Sequence, residues 1–153
     1  MTISAICNRD VVATHRTESV IDAARLMRKH HVGSLVIVED SAQGHKVPVG
    51  IITDRDITVS VTALGLDPAI ITVNEIMVDS VLCIHESAGI AETVSLMRTK
   101  GVRRLPVVND AGTLTGMISA YDLLSLLADE LSGLADSAAR ERRHEQETRR
   151  SGV

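Results

Sequence analysis

The chain contains itself twice. Laying residues 6–32 over residues 76–102 at a constant offset of 70 aligns the two stretches without a gap. Ile6/Ile76, Val11/Val81, His15/His85, Leu26/Leu96, Met27/Met97, Arg28/Arg98 and Val32/Val102 are identical, and Leu35/Leu105, Val38/Val108 and Asp40/Asp110 continue the match. The first copy then carries four extra residues, SAQGHKVPV against AGTLT, after which an offset of 66 pairs Gly50 with Gly116, Ile52 with Ile118, Thr53 with Ser119 and Asp56 with Asp122. A turn is where a duplicated unit tolerates a change of length. In 153 residues such a duplication fills nearly all the available chain. Each copy must then be one supersecondary unit that buries its apolar face against its twin.

Period and punctuation assign the elements of each copy. Residues 11–14 and 81–84 read as short strands. Apolar residues at Val20, Ala23, Ala24 and Met27, and at Ile90, Val94 and Met97, have helical spacing. Residues 35–38 and 105–108 are β-branched-rich runs closed by an acidic turn, with residues 49–53 and 114–119 as their hairpin partners. A second helix begins near Asp54 and near Ala120, so the predicted order is β-α-β-β-α, twice, in an α+β fold. Between the copies, Gly65 and Pro68 stop a helix, and Thr72-Val73-Asn74-Glu75 has capping-box spacing for a short lead-in turn. Leu123, Leu127, Leu131 and Leu134 share one helical stripe and residues 140–151 are polar, which predicts a helix that packs at its start and frays into solvent. The arginines from Arg140 to Arg150 alternate with acids, a weak pattern for docking a partner.

Composition narrows the function. Hydrophobic residues make up 44% and charged ones 24%, as in a globular domain. With one Tyr, no Trp and no Phe, the core must be aliphatic, and no aromatic platform for stacking bases of single strands can be assembled. A formal charge of −4 argues further against nucleic acid as a partner. No apolar stretch is long enough to span a bilayer, and the first ten residues lack the basic start and apolar run of a leader, so the expected location is the cytoplasm. Cys7 and Cys83 have neither CxxC spacing nor the density of a disulfide scaffold and read as small apolar residues. Of six histidines, His15 and His85 are equivalent by repeat and His30 and His31 are adjacent; no chelating pattern is present, and no metal is expected. No pairing of nucleophile and base is suggested, so no catalytic residue is assigned.

The chemistry concentrates in Gly50-Ile51-Ile52-Thr53-Asp54-Arg55-Asp56 and its echo Gly116-Met117-Ile118-Ser119-Ala120-Tyr121-Asp122. A strand that ends in Thr or Ser and turns into a helix sets a hydroxyl beside unpaired backbone N–H groups, an environment suited to phosphate oxygens. An Asp three residues on lies about a turn further along the same side, where a carboxylate can accept both hydroxyls of a ribose. The simpler reading is helix capping, with Thr53 and Ser119 as N-caps.

The doubled β-α-β-β-α unit, the closing G-h-x-[ST]-x-x-D and the run Val102-Arg103-Arg104-Leu105-Pro106-Val107-Val108 resemble a tandem pair of cystathionine β-synthase (CBS) domains, a Bateman module, here in a stand-alone form of the bacterial type. The resemblance covers nearly the whole chain and divides it into a first repeat at 3–66, a second at 72–134, and a polar helix end or disordered tail at 135–153. It implies two sheets packed with pseudo-twofold symmetry around two clefts that take adenosine ligands such as AMP, ATP, NAD or S-adenosylmethionine. It further implies a ribose at Asp56 and Asp122, a phosphate near Thr53 and Ser119, and cationic help from Arg103, Arg104 and Arg55. Adenine is expected against the backbone near Ala13, Thr14 and His15, or near Cys83, Ile84 and His85. Arg16 and Glu86 stand where the family commonly has Pro, and Gly33 and Ser34 stand opposite Arg103 and Arg104, so the clefts differ in charge.

Three functions compete. The first is a non-catalytic sensor of adenine nucleotides, a homodimer by the family's habit, with an unknown regulated protein as partner. The second is part of an enzyme such as inosine-monophosphate dehydrogenase, but that needs a separate barrel of about 250 residues for which this chain has no room. The third is a structural or interaction dimer whose clefts are vestigial or hold metal.

Overall fold

The computed structural model describes the backbone of residues 1–151 and the side chains of residues 1–146. Met1–Ser119 form one compact unit, and the chain from Ala120 onward forms a second. In the first, a 3₁₀ turn at Ile3–Ala5 precedes β1 (Ala13–Thr14), α1 (Val20–His30), β2 (Ser34–Asp40), β3 (Lys46–Thr53) and α2 (Asp54–Ile57), which widens into a π-helical turn at Thr58–Thr62. A short α3 (Val73–Ile76) and β4 (Val78–Asp79) lead to β5 (Ile84–His85), α4 (Ile90–Lys100), β6 (Arg104–Val108) and β7 (Leu114–Ser119). The second unit is α5 (Ala120–Ser151). The predicted α+β order is therefore present in both copies.

Two sheets result, ordered β1-β2-β3-β4 and β5-β6-β7. In each, the first strand runs parallel to the second and the second antiparallel to the third, with a bulge at the equivalent steps Ile37/Val38 and Val107/Val108. The opening strands are two residues long, shorter than the pattern predicts: β1 keeps the last two of its four predicted residues, and β5 shares only Ile84 with its predicted range and takes in His85. Before β1 the Val11 N–H turns back to the Arg9 carbonyl (3.0 Å), which keeps the chain out of the sheet until Ala13. The four-residue insertion lies in the β2–β3 turn, where Ser41 N–H reaches the His45 carbonyl and Gly44 takes a φ of 77°. Leu35, Ile37 and Ile52 from the sheet, Ala23 and Met27 from α1, and Val73 and Met77 from the lead-in form one aliphatic cluster. Full burial of such side chains contributes roughly 1.5–3 kcal/mol each.

The segments that precede the two copies are exchanged between them. Ile3 and Ser4 donate backbone hydrogen bonds to Ala88 and Glu86 of the second copy, and Asn8 pairs with Met117 on β7. Val73 and Asn74 donate to Glu18 and Arg16 of the first copy, and β4 pairs with β3. Thr72 opens α3 through the predicted capping box, with Glu75 Oε2 accepting from Thr72 N–H (2.7 Å) and Oγ1–H (2.8 Å). These contacts hold the Glu75 carboxyl below its usual range.

In α5, the predicted stripe residues Leu127, Leu131 and Leu134 are exposed, and Leu124 joins them. The backbone of this polar end is helical to Ser151, while the side chains of Arg149 and Arg150 lie outside the described residues.

Candidate functional site

Thr53 is the last residue of β3 and the N-cap of α2. Its Oγ1 accepts from the Asp56 N–H (3.1 Å), and Asp56 Oδ2 accepts from both the Thr53 N–H (2.8 Å) and Oγ1–H (2.7 Å). The pair is a closed capping box, so the simpler reading of this motif is realised in the fold. Asp56 Oδ1 takes no hydrogen bond from the described residues. The box fixes the carboxylate's direction and leaves one oxygen for another donor.

Arg103 and Arg104 reach the same region from the second copy. α4 ends at Gly101 with a φ of 66°, and Val102 N–H closes the cap onto the Met97 carbonyl. The chain then turns through Arg103 and enters β6 at Arg104, which is paired in register with Ser119. Both arginines are exposed.

These four residues line one cavity of about 330 Å³, at the lower end of the range for small-molecule sites. Ser34 and Ile51 from the first copy, Val102 from the second, and Val78, Ser80, Val81 and Leu82 from the connecting stretch complete it. The lining places one carboxylate and three hydroxyls with two guanidinium groups around an aliphatic surface that contains no aromatic ring. A ligand that suits it has an apolar or planar body, hydroxyl donors for the carboxylate, and a negative end for the arginines.

The remaining predicted residues do not line this cavity. Arg55 is exposed, its N–H bonded to Asp54 Oδ1 (2.8 Å). Ala13 and Thr14, and Ile84 and His85, are in the opening strands of their sheets, and Thr14 and Ile84 are buried there. His15 Nε2 lies 3.5 Å from Asp40 Oδ2 and His85 Nε2 lies 3.0 Å from Asp110 Oδ1, equivalent pairs in the two copies. Cys83 Sγ faces the Val81 carbonyl, and burial pushes its thiol up, away from a nucleophile's range. Ser119 ends β7 in the first unit, and Asp122 lies in the first turn of α5 in the second. No group of three or more His, Cys, Asp and Glu able to hold a metal occurs among the described residues.

Sequence reasoning missed Ser34, Ile51, Val78, Ser80, Val81, Leu82 and Val102 as lining residues. Ser34 and Val102 flank the Gly33/Arg103 difference between the copies, and that was the available signal. Nothing local marks residues 78–82, which arrive through the pairing of β4 with β3.

The CBS domain family model matches residues 3–62 and 73–129. Over 118 residues the chain is 35% identical to Hypoxic response protein 1 of Mycobacterium tuberculosis, covering 77% of this chain and 79% of that protein. An uncharacterised protein of Methanopyrus kandleri is 36% identical over 126 residues, covering 82% of this chain but only 62% of that longer protein. Among solved structures, a signal-transduction protein with CBS domains from Burkholderia ambifaria superposes with a TM-score of 0.72 at 30% identity, covering 84% of this chain and 96% of that one. Hypoxic response protein 1, solved with two coordinated zinc ions, gives a TM-score of 0.68 at 32% identity over 82% of this chain and 98% of its own. A CBS domain pair solved with 5′-methylthioadenosine and S-adenosyl-L-methionine gives 0.70 at 27% identity over 83% of this chain and 99% of its own. With two matched repeats and relatives that share its fold along most of its length, this chain belongs to the CBS domain family.

Proposed function

We propose that this chain is a non-catalytic regulatory module of the cytoplasm that binds one adenine nucleotide (AMP, ATP or NAD) in the cavity between its CBS repeats. The observation that carries this reading is the convergence of Thr53 and Asp56 from one copy with Arg103 and Arg104 from the other around an aliphatic lining. Asp56 Oδ1 accepts the ribose hydroxyls, the guanidinium groups pair with phosphate oxygens, and adenine lies on the wall formed by Ile51, Val81 and Leu82. The binding of adenosine compounds by a similar CBS domain pair supports the class of ligand. Gly33 and Ser34 stand at the equivalent of the two arginines, so one nucleotide per chain is expected. The exposed leucines of α5 support a homodimer. The ligand acts on a regulated partner only through its differential affinity for two states of the module.

A scaffold with vestigial clefts is the second reading, favoured by the closed Thr53–Asp56 box, which needs no ligand to explain it. The two are separated by nucleotide binding. The purified protein, with one Tyr and no Trp, has little absorbance of its own, so a retained nucleotide dominates near ~260 nm and mass analysis of the released molecule names it. Added AMP, ATP or NAD at about 100 times its Kd stabilises the fold by about 2.7 kcal/mol, a readily measured rise in Tm. Asp56→Ala removes that rise while lowering the ligand-free Tm only by the loss of a cap, about 0.5–2 kcal/mol. No retained nucleotide and no rise with any of the three would establish the scaffold instead.

A further inference from the structure

We propose that Arg16 is a positioning residue for the cavity, holding in place the connecting stretch that forms one of its walls; this rests on the ligand-binding reading above. The wall is the run from Val78 to Leu82. It begins on β4, an edge strand paired with β3 only through Gly50/Asp79 and Ile51/Val78. Beyond it, Ser80 takes a left-handed φ of 65°, which disfavours any residue with a side chain. Among the described residues, Val81 and Leu82 make no backbone–backbone hydrogen bond. The comparison between copies gives the reason. In the first copy the carbonyl of Val12 accepts from Val36 N–H at 3.2 Å. In the second, Leu82 takes the place of Val12 and Pro106 that of Val36, and proline has no N–H to give. The wall thus has backbone support only at its β4 end, and its upstream anchor is reinforced from elsewhere.

Arg16 supplies it. Its Nη1 donates to Asp79 Oδ1 (3.2 Å) and to Asn74 Oδ1 (3.0 Å), and its own carbonyl accepts from Asn74 N–H (3.0 Å). Its Nε is ion-paired with Glu39 at the end of β2, too far off line for a hydrogen bond. One guanidinium therefore ties the body of the first copy to α3 and to Asp79, the β4 residue directly before Ser80 in the wall. The second copy keeps the backbone half of this arrangement, with Ser4 N–H donating to the Glu86 carbonyl, but not the side-chain half. There the charges are exchanged: Glu86 stands at the place of Arg16 and Arg9 at the place of Asp79, and Arg9 donates to the Ser4 carbonyl instead. Each lead-in segment thus carries the wrong charge for the other's seat, and only the one that walls the cavity is clamped.

The test exchanges the charges. Arg16→Glu sets a carboxylate against Asp79 and Glu39 and frees the wall, while Arg16→Glu combined with Asp79→Arg restores attraction with reversed sign. In ligand-free protein, backbone order parameters of Ser80, Val81 and Leu82 are expected near the rigid value of about 0.85 in the wild type, below about 0.6 in the single variant, and recovered in the double. The Kd for ATP is expected to rise roughly three- to fivefold in the single variant and to return within about 1.5-fold in the double, an effect of the size that partly exposed charge pairs have. Arg16→Gln gives the same direction with a smaller change if Arg16→Glu does not fold. Order parameters that do not respond to Arg16, or that stay low in the double variant, overturn the proposal. Should the wild type bind no ATP, the ligand reading is what fails, and the order parameters alone decide whether Arg16 is the clamp.

Discussion

Gly50 and Gly116 occupy the same place in the two copies, and at each a sulfur atom sits where a methyl group would be. A Cβ on Gly116 would meet Cys7 Sγ at 2.7 Å and the Asn8 carbonyl oxygen at 3.1 Å; on Gly50 it would meet Met77 Sδ and the Val78 carbonyl oxygen, both at 3.0 Å. Neither glycine has a positive φ, so what requires it is the close approach of the exchanged lead-in. Gly116→Ala is expected to destabilise by about 1–3 kcal/mol, the range for overpacking. Cys7→Ala in the same chain is expected to recover part of this, leaving the share due to the Asn8 carbonyl. Denaturation midpoints of both single variants and the double check it. The motif itself was legible, because Thr53, Asp56, Arg103 and Arg104 stand out by type and by repetition. Their counterparts were not. Cys7, Met77 and the wall residues Val78, Ser80, Val81 and Leu82 act through pairing with the other copy, and no spacing within their own segment announces that.

At the scale of elements, α1 and α4 end alike. Val32 N–H bonds the Met27 carbonyl and Val102 N–H bonds the Met97 carbonyl, both at 3.0 Å, across a residue in the left-handed region. In α4 that residue is Gly101, at a φ of 66°; in α1 it is His31, at 54°. A residue with a Cβ is disfavoured there, whereas glycine loses more freedom on folding. The balance predicts that His31→Gly raises stability by about 0.5–1 kcal/mol, which calorimetry would register as a small increase in Tm; a decrease would mean that the imidazole contributes more than the strain costs. Helical spacing and the Thr72–Glu75 box made the longer elements and the lead-in turn legible. The π-helical turn at Thr58–Thr62 was not, since no residue type marks one, and the opening strands were misjudged because apolar residues begin before the point where the backbone enters the sheet.

For the whole molecule, the apolar surface left on α5 sets the terms. Leu124, Leu127, Leu131 and Leu134, spaced three, four and three residues apart, are between 44% and 68% exposed. That spacing is the seam of a helix pair. Association of two chains is expected, and Leu131→Glu is expected to shift the sedimentation coefficient to that of a single chain without altering the first unit's fold by circular dichroism. The exchanged lead-ins bear on a different question, the order in which the protein comes into being. During synthesis the first copy emerges first, yet residues 72–79, which complete its sheet and give Arg16 its partner 63 residues away, emerge only after it. The second copy, translated later, finds its own lead-in already made, because residues 3–8 precede the first copy in the chain. The earlier half thus waits on chain that follows it, while the later half does not. The ligand cavity, which needs both, is among the last features to form, so a partly made chain holds its nascent core open but never offers a finished site.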